Sequence, residues 1–371
     1  MRNTAKTAAA PRSTDYWLLG LALLFAGFGL IMVLSASGVM AERFYDDKYL
    51  FFRKQALFSV LGALCMLATA RLPRGFFNHF VYLWLFLTVG MLVLTLSPMG
   101  VAAGGASRWL RLGPLSVQPL EFAKLALVLY LAYFFSRKQH MIKTFSVGFL
   151  PPFLVTGGLC LLLLRQPDFG GAVFLAGILF FMCLVGGTRF SYLLLSVFVA
   201  SAGAWWMIVN SPYRFKRLLA FLNPFETSTG AGYQLVQSLY AFGSGQVTGA
   251  GLGAGRQKLF FLPEAHNDFI MAVIGEELGF IGVSLLFICL GLFLWRAFRV
   301  ALIQEDLRDR LTAYGAAMIL ALGFFLNLAV VMGLVPPKGV PMPFVSYGGS
   351  SLLASFLCVG ILLNLSRGEK S

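Results

Sequence analysis

The sequence predicts an all-α integral membrane protein of about ten transmembrane helices with one long extracytoplasmic loop. Composition gives the first indication: 58% of residues are hydrophobic, 12% are charged, and mean hydropathy is +0.81. Length gives the second, because several apolar runs exceed the roughly 18–20 residues needed to cross a bilayer. The third is the placing of Lys and Arg, which are in excess on alternate short loops. A soluble globular chain is excluded.

The net charge of +14 would suit nucleic acid, but the basic residues are spread over many loops. Orientation bias and anionic headgroups or phosphates account for them, and no nucleic-acid partner is expected. Cys65, Cys160, Cys183, Cys289 and Cys358 all fall in apolar segments, without a disulfide frame or zinc spacing. His79, His140 and His266 lie in separate segments, which argues against a histidine metal site.

Residues 1–15 are polar, with Arg2, Lys6 and Arg12, and read as a cytoplasmic tail rather than a cleaved signal peptide. Spans are predicted over 16–39, 54–70, 77–97, 118–136, 145–164, 169–186, 190–210, 268–295, 311–334 and 350–366. Residues 16–366 form one polytopic domain and 367–371 a second cytoplasmic tail. An even number of spans puts both termini on one side. The basic excess makes that side the inside, giving N-in and C-in.

Residues 98–117 form an unusual outer segment containing Arg108 and Trp109, which offer a fork for phosphate oxygens and an interfacial aromatic. Plain headgroup anchoring is the alternative. In the fourth span Glu121 and Lys124 are three apart and can pair, either as a self-satisfied buried ion pair or as a polar site facing a cavity. Arg165, Pro167 and Asp168 make a tight turn whose Asp caps the next span.

The outer loop 211–267, 57 residues long, contains PYRFKRLLAFLNP and GYQLVQSLYAFGSG, whose spacing predicts short amphipathic helices. Arg214 and Arg217 there suit phosphate or lipid heads. GAGLGAG, from Gly249 to Gly255, has no strand before it and no GK[ST] after it, so it reads as a flexible hinge.

The stretch 263–279, PEAHNDFIMAVIGEELG, places Glu264, Asp268, Glu276 and Glu277 where this loop enters an apolar helix. An ionisable group at membrane depth costs about 2.5–3.5 kcal/mol and marks function. At about 100° per residue, Asp268, Ala272, Gly275 and Gly279 share one face, where small residues admit a neighbouring helix. Asp268 is therefore predicted to point into protein or a wet cavity. A lone Asp would be explained by the helix macrodipole; four acids, His266 and a Pro together favour function.

The last outer segment, PPKGVPMPFVSYGGSS (336–351), has four prolines and must be irregular, lying against protein or a cavity. Lys338, Ser346, Tyr347, Ser350 and Ser351 supply donors there.

These motifs, with GASRWLRLG-x4-QPLEFAK, follow one another along nearly the whole chain and resemble the SEDS family (shape, elongation, division and sporulation). PPKG and HNDFIMAVIGEELG are more similar to its division-type branch than to its elongation-type branch. The resemblance implies a peptidoglycan glycosyltransferase on the outer face of the bacterial cytoplasmic membrane, at the division septum. The implied substrate is lipid II, a disaccharide-pentapeptide on undecaprenyl pyrophosphate. Its acceptor 4-hydroxyl attacks the donor anomeric carbon and inverts it to a β-1,4 link. Asp268 matches the family's essential acid; Arg108, Glu121 and Lys124 match polar positions lining its cavity. The implied partners are a class B penicillin-binding protein (a single-span transpeptidase), other divisome membrane proteins and membrane lipids.

That chemistry needs a base on the nucleophile and charge stabilisation on the leaving group. Asp268 is the expected base. Arg108 and Lys124, with a divalent cation such as Mg or Mn, are expected to hold pyrophosphate, and Glu121 to orient Lys124 or the ion. Trp109, Glu264, His266, Lys338, Ser346 and Ser350 are expected to bind substrate. Two rival readings are a lipid II transporter (flippase) and a non-catalytic divisome scaffold. The first lacks an evident sequence repeat and midplane acids; the second leaves the acidic motif idle.

Overall fold

The computed structural model describes residues 14–103, 106–113, 115–227, 230, 232–259 and 261–367, so nearly all of both expected tails lies outside the described residues. The apolar runs are helices because in a bilayer a helix satisfies its backbone groups within its own segment. In order they are α1 (Tyr16–Tyr45), α2 (Leu50–Arg71), α3 (Phe76–His79), α4 (Val81–Leu94), α5 (Pro119–Arg137), α6 (Leu150–Arg165) and α7 (Phe169–Gly186). There follow α8 (Phe190–Val209), α9 (Pro212–Leu222), α10 (Tyr233–Gly245), α11 (Ile270–Leu302), α12 (Leu307–Val331) and α13 (Gly349–Ser366).

Among the described residues nine helices are long and apolar enough to cross a membrane. The third expected span, 77–97, is divided between α3 and the 14-residue α4, which is about 21 Å long at its helical rise. The unusual segment at 98–117 adds short strands to the helical bundle. They form an antiparallel sheet of β1 (Gly100–Ala103), β2 (Ala106–Leu112) and β3 (Leu115–Val117), in that spatial order. Its strands are too short to show a clear alternation in the sequence.

α5, α12 and α13 form the buried centre. The rings of Phe25, Phe293 and Phe324 bring α1, α11 and α12 together, with centroids 5.7 to 6.3 Å apart. α8 stands at the edge, with Leu193 its one buried residue among those described. The Asp15 N–H donates to Ser366 Oγ at 3.2 Å, and the Asp15 carboxylate pairs with Arg296 at 2.7 Å. Both ends of the domain therefore share one side. The start of α11 lies on the other.

α9 and α10 confirm the two helices expected in the long loop. The hinge expected at 249–255 is instead an anchor. α11 breaks at Gly279, whose φ of 62° and ψ of −165° are not helical; a side chain there would collide with the Gly249 nitrogen. The break separates the Phe280 and Ile281 N–H groups from the Glu276 and Glu277 carbonyls. The loop restores all four: Phe280 and Ile281 donate to the Gln246 and Val247 carbonyls, and Ala250 and Gly251 donate to the Glu276 and Glu277 carbonyls, at 2.9 to 3.1 Å.

The Glu276 and Glu277 side chains are held by the same loop, not by the site of Asp268. Glu276 accepts from the Arg256 N–H at 2.7 Å and the Gln257 N–H at 3.1 Å. Glu277 accepts from the Gly253 N–H at 3.0 Å and from Ser35 Oγ at 2.7 Å, and pairs with Lys258 at 2.6 Å. The four carboxylates of 263–279 thus divide into two groups. Removing one partner of a buried ion pair strands the other charge, so Lys258→Met is predicted to destabilise the protein by about 3 kcal/mol. Thermal unfolding in detergent should show a lowered Tm, with Lys258→Met/Glu277→Gln less affected than the single variant.

Candidate active site

Asp268 sits in a turn that precedes α11, not on the helix itself, because α11 begins at Ile270. The helical face expected to carry Asp268 therefore starts two residues too early. Its small-residue part does admit a neighbour, since Gly245 of α10 packs on the backbone at Gly275. The turn is pinned from α12: Asn327 Nδ2 donates to the Asp268 carbonyl at 2.8 Å and to the Val340 carbonyl at 2.8 Å. This draws the segment after α12 alongside Asp268. A Cβ on Gly339 would stand 2.8 Å from Asp268 Oδ2, so this segment passes directly beside the carboxylate. Burial, and secondarily the charge of Glu264, raise the Asp268 pKa to about 7 against the opposing pull of Arg108.

Arg108 projects from β2 toward the start of α7. Its Nη2 lies 3.6 Å from Asp168 Oδ1 and 3.4 Å from the Pro167 carbonyl, while its buried Nε has no acceptor among the described residues. Asp168 caps α7 as expected, accepting from the Gly171 N–H at 3.0 Å. It also faces Lys338, whose ammonium lies 4.9 Å from the centroid of the Phe169 ring. Burial lowers the Lys338 pKa and Asp168 opposes the shift. Asp168, Asn327 and Gly339 were not foreseen as site residues. Capping fully explained Asp168; an amide within an apolar span was the available signal for Asn327.

Several expected site residues have other duties. Glu264, in a left-handed conformation with φ 57°, accepts from Asn267 Nδ2 and stays near enough to Asp268 to raise its pKa. His266 is buried between the rings of Phe51 and Tyr347, at centroid distances of 4.9 and 5.7 Å. Burial lowers its pKa, so the imidazole is neutral at pH 7 and serves as a wall. Glu121 and Lys124 pair with each other at 2.6 Å, only 4% and 5% exposed, with the ammonium 4.2 Å from the centroid of the Phe174 ring. The buried ion pair is the arrangement present. Ser346 Oγ accepts from the Met342 N–H at 2.8 Å and Ser350 Oγ from the Gln118 N–H at 3.0 Å. Each oxygen thus holds a backbone N–H, and its own O–H remains a donor. Trp109 pairs with Val101 and Ser107 with Ala102, so Arg108 between them is the extra residue of a β-bulge. Among the described residues no three His, Cys, Asp or Glu side chains converge as a metal group.

The family described as cell cycle protein, whose profile is named for FtsW, RodA and SpoVE, matches residues 16–371. A probable peptidoglycan glycosyltransferase FtsW from Trichlorobacter lovleyi is 46% identical over 357 residues, covering 96% of this chain and 94% of that protein. The stage V sporulation protein E of Bacillus subtilis is 39% identical over 356 residues, covering 96% and 97%. The chain belongs to the FtsW/RodA/SpoVE family. Its fold is that of the family's solved members. A chain from a peptidoglycan synthase complex that coordinates polymerization and crosslinking aligns with a TM-score of 0.79 at 29% identity, over 95% of this chain and 97% of that one. Thermus thermophilus RodA aligns at 0.69 and 28%, over 95% and 96%. The higher identity to FtsW proteins marks this SEDS protein as division-type.

The charges around Asp268 set its proton affinity. Glu264→Gln is predicted to lower the Asp268 pKa from about 7, and Arg108→Met to raise it. Infrared titration of the carboxyl band that Asp268→Asn removes checks both directions.

Proposed function

We propose that the site around Asp268 polymerises lipid II into β-1,4-linked glycan strands on the outer face of the cytoplasmic membrane, for septal wall synthesis. The activity is peptidoglycan glycosyl transfer, as named for the FtsW relatives. One observation carries the assignment of roles: a half-enclosed carboxylate of pKa about 7 stands at the end of the bundle opposite the termini, within electrostatic reach of Arg108.

A base of that pKa is half ionised near neutrality yet basic enough to accept a proton, which is the favourable compromise for general base catalysis. Asp268 takes the proton of the acceptor 4-hydroxyl as its oxygen attacks the donor anomeric carbon. The bond from that carbon to the pyrophosphate breaks, and its electron pair leaves on the lipid pyrophosphate. Arg108, with its buried Nε free of any described acceptor, and Lys338 receive that charge. Lys338 replaces Lys124 in this role, because Lys124 is committed to Glu121. A divalent cation, if bound, would draw its ligands from the substrate's phosphates and add to this charge neutralisation.

An apolar cavity of about 330 Å³ between α10, α11 and α12 supports a lipid-linked substrate. Met271, three residues beyond Asp268, and Leu328 line its upper part; Val283 and Phe287 line it farther along α11. The polyprenyl chain lies there while the sugars meet Asp268. A single-span transpeptidase is the partner, in keeping with the synthase complex to which the fold is similar. Both termini face the cytoplasm in this reading, which leaves Asp268 outside. A transporter would not need a tuned carboxylate flanked by cations at one surface.

Purified protein, with and without a transpeptidase partner, is given lipid II and assayed for glycan polymer. Asp268→Asn should abolish polymer while the protein still inserts, and Arg108→Ala should weaken lipid II engagement by about tenfold or more. Below its pKa the base already holds a proton, so kcat/KM should fall about tenfold per pH unit below about 7. Polymer made by Asp268→Asn would sink the reading. Lipid II crossing a vesicle membrane without polymer would put the transporter first.

A further inference from the structure

We infer that Asn327 is a positioning residue for the transfer step, setting the spacing between the turn that bears Asp268 and the segment that bears Lys338. The inference rests on the reading of Asp268 as the base.

Asn327 lies near the outer end of α12 and is 1% exposed. Its single NH2 group donates to two carbonyls, Asp268 and Val340, each at 2.8 Å. The amide orientation is fixed by those neighbours, since a carbonyl oxygen can only accept. Neither segment is held by a helical ladder: 261–269 is a run of turns, and 334–346 is irregular around four prolines. Their relative position must come from cross-links. The Tyr347 N–H to the His266 carbonyl, 3.0 Å, is one; the paired bonds from Asn327 are another, at the end nearest the base. Between them Gly339 lies beside the carboxylate, where a Cβ would stand 2.8 Å from Asp268 Oδ2 and turn the side chain aside. The clamp that sets this spacing therefore bears on where the carboxylate points.

The residue type supports the same conclusion. Leucine has similar volume and would avoid burying an amide in an apolar helix. The amide is not even fully satisfied, because its buried Oδ1 has no donor among the described residues. What the asparagine provides is its two donated bonds.

The test compares Asn327→Leu, which keeps volume and removes both donors, with Asn327→Gln, which keeps the NH2 group at longer reach. Lipid II polymerisation by the full-length protein is measured across pH, together with Tm. Asn327→Leu is expected to lower kcat about 10- to 100-fold, with a smaller change in KM. The acidic limb of the kcat profile should move to lower pH, because the parted segments let water reach Asp268. Glu264 in its own turn and Arg108 on β2, whose charges also act on Asp268, are untouched. Asn327→Gln should recover part of both effects. A normal kcat and limb in Asn327→Leu overturns the inference. So does a loss of rate that follows Tm with the limb unmoved, which would make the amide merely structural. If Asn327→Leu does not reach the membrane, Asn327→Gln and Asn327→Ser decide: a reduced kcat with a shifted limb supports the clamp, and an unshifted limb overturns it. Asp268→Asn separates the two readings. An active Asp268→Asn removes the base itself, whereas an inactive one beside a normal Asn327→Leu removes only the clamp.

Discussion

A helix inside a bilayer cannot leave backbone groups unpaired, and α11 breaks its own ladder at Gly279. The long outer loop follows from that constraint. Residues 246–251 lie against the break and restore the two donors and two acceptors that it releases. Residues 253–258 continue along the helix and meet the adjacent carboxylates of Glu276 and Glu277 with backbone N–H groups and Lys258. Residues 246–258 of the loop are thereby tied to one stretch of α11, while Ser238 of α10 donates to the Val331 carbonyl at the end of α12. The remaining residues before α11 have only a short distance to cover, and the turn they make presents Asp268.

The site is assembled from segments that are not transmembrane helices. Arg108 comes from a β-strand, Asp168 from a helix cap, Asp268 from a turn and Lys338 from a proline-rich stretch. The helices supply the frame and the points of attachment, of which Asn327 is the most direct. This division suits a reaction at a membrane surface. Polar groups gather at the end of the bundle opposite the termini, while the apolar cavity beside α10 and α11 opens on the flank, where Phe280, Phe287 and Met332 of its lining are exposed.

Carboxylates in this chain serve opposite ends. Glu276 and Glu277 are surrounded by donors, which favours a paired structural role. Asp268 has burial and a neighbouring acid set against one cation, which keeps its proton affinity near neutrality. Asp168 stands between the two behaviours, capping a helix while facing both Arg108 and Lys338. The same residue type is made structural or reactive by its surroundings.

The membrane class and nearly all the spans were legible in the sequence. Hydropathy acts locally: a run of apolar residues must be a helix in lipid whatever its neighbours are. The amphipathic helices α9 and α10 were legible for a similar reason, since their pattern repeats within one element. Tertiary structure alone decided which polar residues meet. Lys124 looked as available as Lys338 until Glu121 closed on it. Ser346 and Ser350 looked like donors to a ligand, and only the fold showed that each oxygen also accepts a backbone N–H. GAGLGAG looked flexible because its partners, the carbonyls of a broken helix, are exposed only by a kink that no local pattern announces. Burial of apolar residues is written along the chain, but a hydrogen bond or ion pair belongs to two segments and exists only once folding has brought them together.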